Sequence, residues 1–230
     1  LKSDDNISTE SDVVDKFLES VGAGSQGSGR LIFALDATAS RARTWEIARK
    51  LQGDLIREAA SIGALSLQLV YFRGGDDELG ECRASEWVTD PARLTGIMGR
   101  IECRAGRTQI HKILSHAKRE TMAEKVAAVV FIGDACEDSL QRLYGLAKEL
   151  GELETPIFAF LEGRDPDAER VFRKMAELSH GAYGRFDDGA VPQLRDLLKA
   201  VAAFVVGGVK ALEGRSDGAS RLLLTQIRNG

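Results

Sequence analysis

The chain has 230 residues, 43% hydrophobic and 29% charged, which fits one substantial globular domain with tails and excludes a wholly disordered, fibrous or disulfide-stapled protein. The net charge of −4 sits in the first 19 residues, where Asp4, Asp5, Glu10, Asp12, Asp15 and Glu19 face only Lys2 and Lys16, leaving 29 charges of each sign in the rest. An electroneutral body lacks the basic face that nucleic acid requires, and no apolar run approaches the roughly 18–20 residues of a bilayer span, so neither partner is expected.

Cys82, Cys103 and Cys136 are widely spaced and form no CxxC pair, which predicts a reducing compartment and a soluble, cytoplasmic chain. Residues 1–19 contain nothing resembling a signal peptide, although the start at Leu1 leaves open whether a native segment was removed.

In chain order, residues 1–29 read as an acidic head with a short helical pattern (Val13, Val14, Phe17, Leu18) and a Gly/Ser linker, GAGSQGSG. Gly22, Gly24 and Gly27 spell GxGxxG, but a dinucleotide loop follows a strand and opens a helix, whereas this one precedes a strand. LIFALD (31–36) predicts a buried strand. A helix over 43–62 follows, with Trp45, Ala48, Leu51, Leu55, Ala59 and Ile62 on one face. LSLQLVYF (65–72) and ECRASEWV (81–88), joined by a Gly-rich turn, predict a strand and an antiparallel edge strand. Asp90-Pro91 starts a helix to about Ile101, and Ile110, Ile113, Leu114 and Ala117 mark another.

VAAVVFI (126–132) is apolar throughout, as a central strand covered on both faces should be. A helix carrying Leu140, Leu143, Tyr144, Ala147 and Leu150 follows, then IFAFL (157–161), then a helix opened by Asp165-Pro166 and stopped by Gly181. AYGRF is the last strand, and residues 190–212 close the domain with a helix. Together these predict an α/β fold: a doubly wound, Rossmann-like open sheet of six strands, five parallel and one antiparallel at the edge, with helices on both faces. The domain is expected to span 30–214, with 215–230 a tail that docks or dangles.

Ligand crevices in such sheets lie beyond the carboxyl ends of the strands. There DATAS places Asp36, Thr38 and Ser40 at alternating positions after the first strand, Asp134 follows the VAAVVFI strand, and Thr108 stands at the expected N-cap of the next helix. Two carboxylates and three hydroxyls form a hard, all-oxygen set suited to Mg²⁺ or Mn²⁺ over zinc or copper. The ordinary reading of each residue alone is a helix cap.

This set, DATAS with Thr108 and Asp134, resembles the metal-ion-dependent adhesion site of von Willebrand factor A (VWA) domains, D-x-S-x-S followed by a Thr and an Asp. The resemblance covers residues 30 to about 212. It implies a divalent cation, Mg²⁺ (or Mn²⁺ or Ca²⁺), held by Thr38, Ser40 and Thr108 with Asp36 and Asp134 beside it. It also implies no catalysis, a partner protein that donates an Asp or Glu carboxylate, and a subunit or adaptor role in an intracellular complex, for example beside an AAA-type ATPase. Thr38 replaces the usual first Ser, Arg107 stands where a small residue commonly precedes the Thr, and Gly133 and Ala135 flank Asp134.

Two alternatives accompany this reading. GDACED (133–138) resembles the acidic motif of haloacid-dehalogenase-like Mg²⁺-dependent phosphohydrolases, but Thr38 stands where that family needs its general acid. The other is a structural interaction domain whose metal site has decayed. His111, His116 and His180 share no ligand spacing and read as structural or exposed. Cys136, at a helix start, is where a thiol could be acidified, against the commoner role of a small buried residue.

Overall fold

A computed structural model describes residues 29–38, 45–48, 65–73, 81–104, 106–187 and 190–229. The Gly-rich linker, Ser40 and most of the helix expected over 43–62 lie outside these residues. Strands β1 (Gly29–Asp36), β2 (Leu65–Arg73), β3 (Glu81–Val88), β4 (Ala128–Gly133), β5 (Ile157–Glu162) and β6 (Ala182–Phe186) form one sheet in the order β3-β2-β1-β4-β5-β6. All neighbours run parallel except β2 and β3. The described helices are α1 (Pro91–Met98), α2 (Ile110–Ala123), α3 (Leu140–Glu152), α4 (Pro166–Leu178), α5 (Val191–Glu213) and α6 (Gly218–Asn229), besides a helical stretch at 45–48.

Alternation along the central strands divides the core in two. Leu31, Phe33 and Leu35 of β1 face Trp45, Leu94 of α1, and the inner residues of α5 and α6. Ile32 and Ala34 face the other way, toward α2, α3 and α4. Between β1 and β2, Trp45 and Ala48 of the helical stretch at 45–48 pack on the first face, and between β4 and β5 the helix α3 packs on the second. Connections from the two middle strands therefore depart to opposite sides, which makes the β1–β4 seam the topological switch point of the sheet. Both strands are buried along their central residues, in keeping with their uninterrupted apolar runs.

Local chemistry accounts for the element ends. Asp165 caps α4 by accepting from the amides of Asp167 (2.9 Å) and Ala168 (2.8 Å), with Pro166 at the first helical position. The helix ends at Leu178, before the expected stop. His180 takes the left-handed conformation (φ 56°), and Gly181 is required for another reason: a Cβ there would lie 2.1 Å from the carbonyl oxygen of Ile157. Inside α5, Gly208 adopts φ 61° and kinks the helix. The stretch that the sequence leaves free to dock or dangle docks. Leu223 of α6 is fully buried, and the Gln226 side chain accepts from the Tyr183 amide (2.8 Å) and donates to its carbonyl (2.9 Å), pairing with β6 as an added strand would.

Candidate functional site

The carboxyl ends of β1 and β4 carry the candidate residues. Their register pairs Leu35 with Ile132, so Asp36 lies one residue and Asp134 two residues beyond the last matched pair, on adjacent strands at the switch point. Asp36 is buried, and its Oδ1 accepts from the Thr38 amide at 2.7 Å, an Asx-type turn that folds the loop back over the strand end. Thr38 and Thr108 are buried as well, and Asp134 is half-buried. Ser40 lies outside the described residues.

Backbone hydrogen bonds join the loops that bear these side chains. The Arg104 amide donates to the Ala37 carbonyl (3.0 Å), so the segment leading to Thr108 runs beside the DATAS loop, while the Ala37 amide donates to Phe72 at the end of β2 (3.0 Å). Arg73 donates from Nη1 to the Glu102 carbonyl (2.7 Å) and braces the same segment from the other side.

Thr108 is tied in turn to the loop after β4. Its hydroxyl accepts from the Glu137 amide (2.7 Å) and donates to Asp138 Oδ2 (3.0 Å), and its own amide donates to the Glu137 carboxylate (3.1 Å). The N-cap of α2 is Gln109, which makes no side-chain cap bond. Thr108 is thus not the cap expected from sequence. Asp138 supplies that service from across the loop, accepting from the amides of Ile110 (3.0 Å) and His111 (3.2 Å) and contacting His111 Nδ1. Its side chain is 1% exposed.

A sequence reading that inspects strand ends finds Asp36 and Asp134 and passes over Glu137 and Asp138. The GDACED run was a signal, but for a different chemistry. An acidic motif that binds Mg²⁺ needs carboxylate oxygens to spare, whereas both oxygens of Asp138 are occupied by Thr108 and the start of α2.

The donor set fits a hard cation. A threonine hydroxyl has two acceptor positions and one proton. The Glu137 amide takes one position, the proton goes to Asp138, and one lone pair of Thr108 remains. A ligating group that gives its proton to a buried carboxylate is the usual support around a metal. Among the described residues no group of three or more His, Cys, Asp or Glu is placed to hold a metal, so hydroxyls would have to complete the set. Cys136, two residues past Asp134, is not an acidified thiol: burial is the main cause that raises its pKa to about 11.

The fold is that of VWA domains, as comparison with solved structures shows. A von Willebrand factor type A protein from Catenulispora acidiphila superimposes with a TM-score of 0.64 at 16% identity, over 79% of this chain and 43% of that one. The SpRpn10 VWA domain gives 0.60 at 11% identity, over 76% and 95%. Proximal thread matrix protein 1 from the mussel byssus, described with a zinc-occupied MIDAS motif, gives 0.59 at 16% identity, over 76% and 46%. This chain spans less than half the length of the first and third of these. No family profile and no curated protein matches the sequence.

Proposed function

We propose that the chain is a non-catalytic protein-binding domain of VWA type whose rim, over the β1–β4 seam, recognises an acidic side chain of a partner through a divalent cation. The observation that carries this reading is the convergence of the three loops. Asp36 and Thr38 on the first are bonded through Ala37 to the segment that holds Thr108, and Thr108 is bonded to the loop that holds Asp134 and Asp138.

Thr38, Ser40 and Thr108 would hold the ion through hydroxyls, with Asp36 and Asp134 beside it. The ion, when bound, supplies a positive centre able to take a carboxylate oxygen from outside. This chain's own residues hold the hydroxyls in place. Asp138 receives the Thr108 proton, the Glu137 amide fixes the same oxygen, and the Asp36 turn sets the direction of the DATAS loop. The zinc-occupied motif of the byssus protein supports the class of site, and the metal proposed here is Mg²⁺ or Mn²⁺ on the strength of the oxygen-only donors. The boundaries proposed for the domain remain 30–214. A role as an adaptor or subunit within a larger complex, in the cytoplasm, completes the proposal; among the described residues no helix is long and apolar enough to cross a membrane.

Thermal denaturation with increasing Mg²⁺ or Mn²⁺ tests the metal. Stabilisation should grow with concentration, reaching about 2.7 kcal/mol at a hundredfold excess over the dissociation constant, and should disappear in Asp36→Ala. A midpoint indifferent to both ions in the parent protein would overturn the reading.

A further inference from the structure

A cavity of about 320 Å³ opens on the second face of the sheet, between the β2–β3 edge and helices α2 and α3, lined in part by Arg83, Lys112, His116, Arg119 and Arg142. Four cations border one small cavity in a body whose charges balance overall, and among the described residues no carboxylate lines it. Lys112, Ser115, His116 and Arg119 follow one another at helical spacing along α2, so a single face of that helix supplies most of the wall.

Their compensation is uneven. Arg83 is ion-paired with Glu81. Arg142 makes no ion pair with any described residue, and Arg119 makes a long contact to the Ser115 carbonyl (3.4 Å) and one to His116 Nδ1 (3.5 Å).

The cavity is also braced from beneath. The irregular register between Gln68 and Val70 brings Ser85 of β3 against β2, where its hydroxyl accepts from the Leu69 amide (3.0 Å) and its carbonyl accepts from the Gln68 side-chain amide (3.1 Å). That bond orients Gln68 so that its Oε1 faces His116 Nε2 at 2.8 Å. The proton then lies on Nε2, leaving Nδ1 to accept from Arg119. Burial holds the His116 pKa below its ordinary value, which keeps the ring neutral and able to accept. A neutral histidine that steadies a guanidinium at the wall of a basic cavity is an arrangement suited to bidentate recognition of a tetrahedral oxyanion.

We propose that this cavity binds a phosphoryl group, with Arg119 and Arg142 as its principal donors and Lys112 and Arg83 adding charge. The volume is small by the standard of ligand pockets, so it accommodates the phosphoryl group and its immediate attachment. Two sources share that chemistry: a free small phosphate and a phosphorylated side chain of a partner. The site is independent of the rim cation.

The test is calorimetric titration of the full chain in the presence of chelator, so that failure of the metal reading has no bearing on the result. One arm uses inorganic pyrophosphate; the other uses a phosphoserine peptide beside its unphosphorylated form. Saturable binding in either arm, weakened about tenfold or more by Arg119→Ala/Arg142→Ala and unchanged by Arg170→Ala on the outside of α4, supports the site, and the tighter arm identifies the source. Arg119 and Arg142 are exposed, so the variants should fold, and equal melting midpoints would show it. Arg142→Ala alone, which breaks no described ion pair, should lose part of the affinity. Absence of saturable binding in both arms, or affinity untouched in the double variant, would overturn the proposal.

Discussion

The two edges of the sheet are finished in different ways. At β6 the chain closes its own edge: α6 lies against the strand, and Gln226 satisfies both the amide and the carbonyl of Tyr183. At the other end β3 has one strand neighbour among the described residues and is defended by charge, with Glu81, Arg83 and Glu86 alternating along it and Arg93 of α1 reaching Glu86 (2.6 Å). An unpaired strand edge invites another chain, and alternating charges are a common deterrent. The difference teaches where the molecule has surface to offer. One edge is consumed internally, while the other, with the basic cavity behind it and the rim above, faces outward.

The sharpest way to break the closed edge is Gly181→Ala. The new Cβ would meet three backbone atoms of Ile157, at 2.1, 2.7 and 2.8 Å, and backbone cannot swing away as a side chain can. The expected loss is about 3 kcal/mol or more, roughly 6–12 °C in the melting midpoint for a chain of this size. A midpoint within a degree of the parent would mean that the approach of α4 to β5 is looser than described. Gln226→Ala removes two hydrogen bonds and leaves the β6 edge open, for about 1–2 kcal/mol. It should also raise amide exchange at Tyr183 far more than at β3. Equal exchange at both edges would show that α6 does not close β6.

These same places show what a sequence can and cannot carry. The sheet was legible because its information is local: the solid apolar run of β4 and Asp-Pro at two helix starts each state a preference that tertiary structure kept. The position of Asp36, Thr38 and Asp134 at the rim was legible because topology alone sends strand ends there. Gln226 was not, since a side-chain amide that pairs with a strand 43 residues away leaves no pattern near it. Asp138 was missed for a similar reason. A search for the cap of α2 looks at the residues just before it, and the cap comes from the far side of another loop. Strand alternation likewise says nothing of the irregular register that aims Gln68 at His116.

Acid should open the two edges separately, and this is the smallest of the expected effects. At β3, the hydrogen bond from Arg73 to Glu81 (2.8 Å) is the main cause holding the Glu81 carboxyl below its ordinary value of 4.5. At α6, burial pushes the Asp217 carboxyl up, but bonds from the Ser220 amide and hydroxyl and from Arg215 outweigh it and leave the group below its ordinary 3.8. A carboxyl depressed by folding contributes stability that is complete above its unfolded value and is lost as pH falls through the folded one. Both contributions are therefore intact near neutrality. Loss begins below 4.5 at β3 and only below 3.8 at α6. Both groups are partly exposed, so the energies are modest and screened by salt. Backbone amide shifts of Arg83 and Tyr183, followed by NMR as the pH is lowered, read the edges one at a time. Glu81→Gln should flatten the Arg83 profile and leave Tyr183 alone, and Asp217→Asn should do the reverse. If both amides move together in every variant, the edges belong to one cooperative unit and their different construction has no separate energetic meaning.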